Sequence, residues 1–367
     1  MSKSSKPSII KDNHPLKSFT TLQLGGPAKY FAQPSTLQEL LDCLRYAKEK
    51  KLPTWILGGG SNIVVADQGL DGLVLQWDAH QKTILQTTDT FVEIKVDGGH
   101  DWDELVQWSI AQDLAGLECL SGIPGRVGAA PIQNIGAYGQ EICEVFHSVE
   151  VLALDTLQIS TWEREHCEFA YRQSAFKKMG PGKVLLLHVT LRLRTDTTPT
   201  LRYPELQRTL QQRYNSNSYT LQEVRDTVLT LRRKKSMVFD PQDPNSHSAG
   251  SFFMNPIVPE EQAEQVFQRV KHTLKDDEKM PRYPAGEGQI KLSAAWLIDR
   301  SGLHKGYGDG QIGLSQHHTL ALVNRGEGTA QELVEFAQFV QQHVHAFSGI
   351  QLHPEPVLLG FDKHPLQ

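Results

Sequence analysis

Leu57-Gly58-Gly59-Gly60-Ser61-Asn62 and Ile123-Pro124-Gly125-Arg126-Val127-Gly128-Ala129-Ala130-Pro131-Ile132-Gln133-Asn134-Ile135-Gly136-Ala137-Tyr138-Gly139 decide how this chain is read. Glycine lets a main chain approach an anion without Cβ interference, and successive N–H groups in such turns form concave sites for phosphate oxygens. Together the two stretches describe a backbone-lined cradle for a phosphorylated cofactor. The first follows a strand-like Thr54-Trp55-Ile56-Leu57 but lacks the third glycine of G-x-G-x-x-G and the lysine of a P-loop. A doubly wound dinucleotide site is therefore disfavoured.

The surrounding sequence alternates strand and helix signals. Ser35-Thr36-Leu37-Gln38 has the form of a capping box, after which Leu37, Leu40, Leu41 and Leu44 recur at helical spacing. Strands are expected at 54–57 and 73–76. Val92, Ile94 and Val96 alternate with Phe91, Glu93 and Lys95 as in a half-buried strand, and Trp102, Leu105, Val106, Ser109 and Ile110 follow at helical spacing. The apolar run 184–191 suits a buried strand. Leu221, Val224, Val228 and Leu231 mark a helix ending in Arg232-Arg233-Lys234-Lys235, and a turn-rich loop with Pro241, Asp243, Pro244 and Asn245 reads as a domain crossover. Further helices are expected at 260–271, at 291–301, and at 331–347 behind the capping box Thr329-Ala330-Gln331-Glu332. The fold class is α/β (α+β), with more than one domain.

Composition narrows the function classes. At 367 residues, with 39% hydrophobic and 22% charged residues, the chain has the make-up of an ordinary soluble protein, and no apolar run suits membrane insertion. The polar residues 1–7 read as a frayed tail and not a secretion signal, so a cytoplasmic location is expected. Cys43, Cys119, Cys143 and Cys167 lie far apart, which points to buried thiols. The net charge of −5 comes from intermixed signs, so no nucleic-acid face is expected. Among fifteen histidines, His317 and His318 are adjacent and His343 and His345 stand at i, i+2, neither a spacing for metal ligation on one helix face.

Taken with Phe169-Ala170-Tyr171-Arg172-Gln173-Ser174-Ala175-Phe176, Ala249-Gly250-Ser251-Phe252-Phe253-Met254-Asn255-Pro256 and His353-Pro354-Glu355-Pro356-Val357, the two glycine stretches resemble the UDP-N-acetylenolpyruvoylglucosamine reductase family. The five motifs fall in the family's order and span nearly the whole chain. The resemblance implies an FAD-binding fold of the vanillyl-alcohol oxidase type in two subdomains, residues 10–79 joined by 350–367 and residues 80–236, plus a separate substrate-binding domain, 237–349. It also implies NADPH-dependent reduction of UDP-N-acetylglucosamine enolpyruvate to UDP-N-acetylmuramate in peptidoglycan precursor synthesis. NADPH would reduce a noncovalent FAD, and flavin N5 would pass hydride to the substrate's methylene, leaving negative charge beside its carboxylate.

In the resemblance, Arg172 offers a fixed, permanently charged fork for that carboxylate, where an arginine in an aromatic-flanked strand is otherwise a structural ion pair. Glu355, between two prolines, would hydrogen-bond the enolic acid in its protonated form, since a bare carboxylate repels the intermediate. Ser251, by itself a turn residue, becomes the proton donor. Gly58, Gly59, Gly60, Ser61 and Asn62 would hold the pyrophosphate, while Pro124, Gly125, Asn134, Ile135, Gly136 and Ala137 would line the isoalloxazine and second phosphate face. Tyr138, Tyr171, Tyr203, Lys235, Asn255 and His318 are the substrate-binding candidates. Tyr203 matches the subclass whose tyrosine loop covers the substrate, Lys235 is assigned to the diphosphate, and Tyr171 is left between site and core. Two departures stand out. Met254 replaces the usual lysine of G-S-F-F-K-N-P, and His100 in Asp97-Gly98-Gly99-His100-Asp101-Trp102 raises the question of a covalent flavin link, which this family does not use.

The alternatives are an FAD oxidase or dehydrogenase of a hydroxy acid or alcohol on the same fold, and a catalytically silent sugar-nucleotide binder. The first needs a base where Ser251, Arg172 and Glu355 supply protonation and charge stabilisation. The second is disfavoured because all three residues are present.

Overall fold

The computed structural model describes residues 5–274 and 278–366. Residues 1–4 of the expected tail lie outside them. The chain divides into two compact units, one of Met1–His14, Ala28–Gly60 and Leu70–Val238, the other of Pro15–Pro27, Ser61–Gly69 and Phe239–Gln367.

The first unit contains two larger sheets and a two-stranded hairpin, Gly136–Ala137 with Gln140–Glu141. Strands Pro27–Ala32, Leu70–Leu75 and Thr54–Ile56 pair in parallel, with Phe31 and Trp55 both opposite Val74. Helix Leu37–Glu49 connects two of them and buries Leu40, Cys43, Leu44 and Ala47. Its cap lies one residue later than expected: Thr36 and Glu39 form the box, because the Glu39 carboxylate also accepts the backbone N–H and hydroxyl of Ser35. The second sheet is antiparallel, ordered Ile159–Glu163, Phe146–Ala153, Val184–Arg194, Phe91–Asp97 and Lys82–Thr87. Its inner face, including Ile94, Val96, Val149, Val189 and Leu191, packs with Trp102, Leu105 and Val106 of helix Trp102–Ala111. The alternation read at 91–96 thus reflects a sheet with one covered face. Helices Pro204–Tyr214 and Leu221–Lys234 form a smaller cluster through Leu206, Leu210, Val224 and Val228.

In the second unit, helix Ala330–Ser348 turns Leu333, Val334, Ala337, Val340 and Val344 into the core, a stripe at helical spacing. The expected Thr329/Glu332 box opens it, and the Asp67 carboxylate takes the N–H groups of Ala330 and Gln331 at 2.8 and 2.9 Å. A carboxylate at this end also meets the positive pole of the helix. Gly349, at φ 77°, ends the helix in the left-handed conformation. Strands Ile257–Pro259, Gln289–Leu292 and Arg282–Pro284 form a small sheet, and Ile63–Val65 pairs in parallel with Val357–Leu359. The helix expected at 291–301 begins only at Ala294, because Gln289–Leu292 is claimed by the sheet and Ser293 caps the helix.

Candidate active site

The two glycine segments of the first unit meet. A Cβ on Gly59 would stand 2.6 Å from the Cα of Gly125, and one on Gly58 would stand 3.1 Å from Cβ of Ala129. Each loop is fixed from behind. Gln76 donates to the Gly58 carbonyl at 2.7 Å, and Trp102 N–H donates to that of Gly125 at 3.1 Å. Among the described residues the N–H groups of Gly58 and Gly59 have no protein acceptor. Uncommitted donors on a backbone with no room for side chains fit the phosphates of a dinucleotide cofactor. Gly58, Gly59 and Gly60 belong to the first unit, Ser61 and Asn62 to the second.

The second segment continues as a scaffold for Arg172. After the short helix Ala130–Gln133, Asn134 turns left-handed at φ 43°, which asparagine tolerates. Its buried amide donates to Glu141 and the Ala170 carbonyl and accepts from Cys143 N–H. Arg172 donates to the Gly136 carbonyl at 2.8 Å and to that of Asn134 at 3.4 Å, with its guanidinium 5.6 Å from the Tyr171 ring centre. It occupies a tight turn at φ 54°, bracketed by the Ala170–Gln173 bridge, and not the aromatic-flanked strand expected from sequence. Arg172, Asn134, Gly136 and Tyr171 are therefore brought together, with Ile135 and Ala137 on the same run.

Tyr138 follows, and its ring meets that of Tyr203 edge-on at 5.4 Å and 88°. Burial pushes the Tyr138 phenol up to about 12, against the pull of the nearby Arg232 guanidinium, so its hydroxyl stays protonated as a donor. Arg232 itself escaped the sequence reading, hidden in a basic run. It donates to the Met237 carbonyl at 2.7 Å, while its buried Nε–H has no partner among the described residues. Burial depresses its basicity. Lys235 pairs with Glu205 at 2.8 Å.

In the second unit a short ladder joins the two remaining motifs. Phe252 N–H donates to Leu320 at 2.7 Å, Glu355 N–H donates to Phe252 at 2.8 Å, and Met254 N–H donates to His353 at 3.0 Å, with Phe253 bridged to Pro354. Phe252 and Phe253 are 0% and 1% exposed, which anchors the register of two adjoining extended segments, one carrying half-buried Ser251 and the other half-buried Glu355. Asn62 donates to the Glu355 carbonyl at 3.4 Å, bringing the end of the first glycine stretch to the same place. Asn255 accepts the Ala294 N–H at 3.0 Å ahead of a helix, and His318 Nδ1 accepts from Leu320 N–H at 3.4 Å.

A cavity of about 510 Å³ lies elsewhere in the first unit, lined by Trp77, Asp78, His80, Asp97, Glu150 and His188 among others. Its three carboxylates are the wrong sign for an anionic nucleotide. His188 reaches both Asp97, at 3.1 Å, and Glu150, at 2.9 Å. Nearby His100 is buried, with Nδ1 2.8 Å from the Asp101 carbonyl oxygen.

Comparison with known proteins agrees with this geometry. Residues 241–359 match the model of the UDP-N-acetylenolpyruvoylglucosamine reductase C-terminal domain, and residues 28–158 match an FAD binding domain. The UDP-N-acetylenolpyruvoylglucosamine reductase of Thermobifida fusca is 44% identical over 349 residues, 95% of this chain and 97% of that one. The chain belongs to the UDP-N-acetylenolpyruvoylglucosamine reductase family. The enzyme of the same name from Saccharopolyspora erythraea is 43% identical over 94% of each chain. The crystal structure of the Thermus caldophilus reductase shares the fold, with TM-score 0.62 and 24% identity across 94% of this chain and 97% of that one. As a family member the chain is an FAD-dependent oxidoreductase of peptidoglycan synthesis, a UDP-N-acetylmuramate dehydrogenase that uses NADPH as reductant. Its architecture is α/β, with an FAD-binding region and the reductase family's C-terminal domain. No described helix is long and apolar enough to cross a membrane.

Proposed function

We propose that Arg172, Ser251 and Glu355 carry the reduction of the enolpyruvyl ether of UDP-N-acetylglucosamine enolpyruvate to UDP-N-acetylmuramate. FAD, when bound, supplies the hydride it has taken from NADPH. Gly58, Gly59 and Gly60 with Ser61 and Asn62 would hold its pyrophosphate, and Pro124, Gly125 and the 134–137 run its ring system.

Hydride addition to the terminal methylene leaves negative charge on the carbon bearing the carboxylate. The Arg172 guanidinium clamps that carboxylate, its direction set by the bonds to Gly136 and Asn134. Preorganised donors aimed at developing charge are usually the largest catalytic term, worth ~3 kcal/mol for one donor. Glu355 would lie against the enolic oxygen, and Ser251 would deliver the proton from Oγ to carbon, its alkoxide regaining a proton from solvent before the next turnover. The pairing of Phe252 with Glu355, which brings Ser251 within one residue of Glu355 in register, is the observation that supports this assignment. Tyr138, Tyr171, Tyr203, Asn255 and His318 would contact the substrate, with Lys235 at its diphosphate. The proposed divisions are 10–79 joined by 350–367, then 80–236 and 237–349; the parallel pairing of Ile63–Val65 with Val357–Leu359 ties 350–367 only to residues 61–69, which group with the second unit. The enzyme would work in the cytoplasm.

The test is anaerobic. Arg172→Lys and Glu355→Gln should both accept hydride from NADPH, seen as bleaching of the flavin absorbance, and should be slow to recover colour with the enolpyruvyl substrate. Wild-type recovery rates in both variants would remove Arg172 and Glu355 from the mechanism.

A further inference from the structure

The Lys235 ammonium, assigned above to a diphosphate, is already engaged by an anion. Its Nζ lies 2.8 Å from Oε2 of Glu205, and the two side chains are 33% and 36% exposed. The groups come from opposite poles of two packed helices. Lys235 is the C-cap of Leu221–Lys234, at the negative end, and Glu205 is the second residue of Pro204–Tyr214, at the positive end. The start of the second helix is held in place: Tyr203 rests on Tyr138, and Arg202 pairs with Glu144 at 2.9 Å and donates to the Gly139 carbonyl at 3.3 Å. Glu205 therefore presents its carboxylate to Lys235 from a fixed base.

We propose that Glu205 is an internal stand-in for the substrate's diphosphate, occupying Lys235 in the substrate-free enzyme and surrendering it on binding. This rests on the reading that Lys235 binds the diphosphate. A carboxylate carries one negative charge and a diphosphate two, so the ligand outcompetes the carboxylate for the same ammonium. The displaced Glu205 stays close and repels the ligand, which weakens binding. An exposed pair of this kind shifts an equilibrium by a factor of about five at most, small enough to exchange readily. Glu205 thus sets the affinity for nucleotide diphosphates without touching the reacting carbons.

Calorimetric titration of the FAD-loaded enzyme with UDP tests the exchange, using wild type, Glu205→Gln, Lys235→Gln and the double variant. Glu205→Gln should bind UDP roughly three- to five-fold more tightly, with KM for the sugar nucleotide lowered to match, and the gain should vanish in the Lys235→Gln background. Flavin content and melting temperature confirm each fold, and Glu205→Ala serves as a second removal of the charge. Weaker binding in Glu205→Gln would make Glu205 an aid to Lys235 and overturn the proposal. An equal gain with Lys235 absent would reduce it to diffuse repulsion and overturn it too. If Lys235→Gln alone binds UDP like wild type, the assignment of Lys235 to the diphosphate fails, a result distinct from both.

Discussion

Substituting Gly59 by alanine should cost the enzyme its flavin. The added Cβ would stand 2.6 Å from Cα and 3.1 Å from the carbonyl carbon of Gly125, so the loops must part by about 0.8 Å before ordinary contact begins at 3.4 Å. Both obstacles are backbone. Neither loop yields easily, because Leu57 N–H is bonded to Leu75 at 2.8 Å, Gly58 to Gln76 at 2.7 Å and Val127 N–H to His100 at 2.9 Å. Overpacking a tight site costs ~1–3 kcal/mol, which corresponds to a roughly five- to 150-fold loss of FAD affinity if it falls on the cradle. The assay is fluorescence titration of deflavinated protein with FAD, with melting curves of the apo form to separate local from global damage. Gly310→Ala is the control, since its Cβ would meet nothing nearer than 4.0 Å. An unchanged apo melting temperature and an FAD affinity within twofold of wild type would refute the close approach as the basis of the cradle.

Asp103 accepts both prongs of Arg225 at 2.7 Å and the Gly122 N–H at 2.6 Å. Burial raises its carboxyl, but these bonds outweigh it and hold the group below the usual carboxylate range. Its stabilisation is therefore complete above about pH 4 and lost as pH falls through the lower folded value. Asp103→Asn should cost about 3 kcal/mol in urea unfolding at neutral pH, and the gap should narrow towards pH 3. A gap independent of pH would contradict this. Thiol labelling should find one slow target: Cys43, Cys119 and Cys167 are buried and Cys143 half-buried, with burial pushing Cys43 and Cys143 to about 11 and Cys167 to about 12. Cys143→Ala should abolish reaction with a disulfide reagent near neutral pH, and fast labelling that survives it would contradict the burial pattern.

What could be read from sequence was local. The alternation from Phe91 to Val96, the Thr329/Glu332 box and the glycine loops each declare themselves within a few residues, and the structure places a strand, a helix start and facing loops there. Competition was harder to read. Ser35 and Thr36 both offer a cap, and the Glu39 carboxylate decides the register. The 291–301 stretch has helical spacing, yet its first residues pair with Pro256–Pro259, more than thirty residues back, and with the hairpin partner Arg282–Pro284. The left-handed turn at Arg172 depends on partners 36 and 38 residues away. The buried Nε–H of Arg232 has no local signature at all, because Arg232 to Lys235 look alike until helix packing turns one inward. The expectation of buried thiols holds for three cysteines, while Cys143, the middle residue of the short 3-10 helix Ile142–Glu144, is half-buried.

The role of Ser251 is tested most directly by following the two half-reactions of Ser251→Ala separately in an anaerobic stopped-flow instrument. Bleaching of the flavin by NADPH should proceed at the wild-type rate, and recovery of its absorbance with enolpyruvyl-UDP-N-acetylglucosamine should slow by several orders of magnitude. Equal losses in both half-reactions, or recovery as fast as wild type, would contradict the assignment of Ser251 as the proton donor.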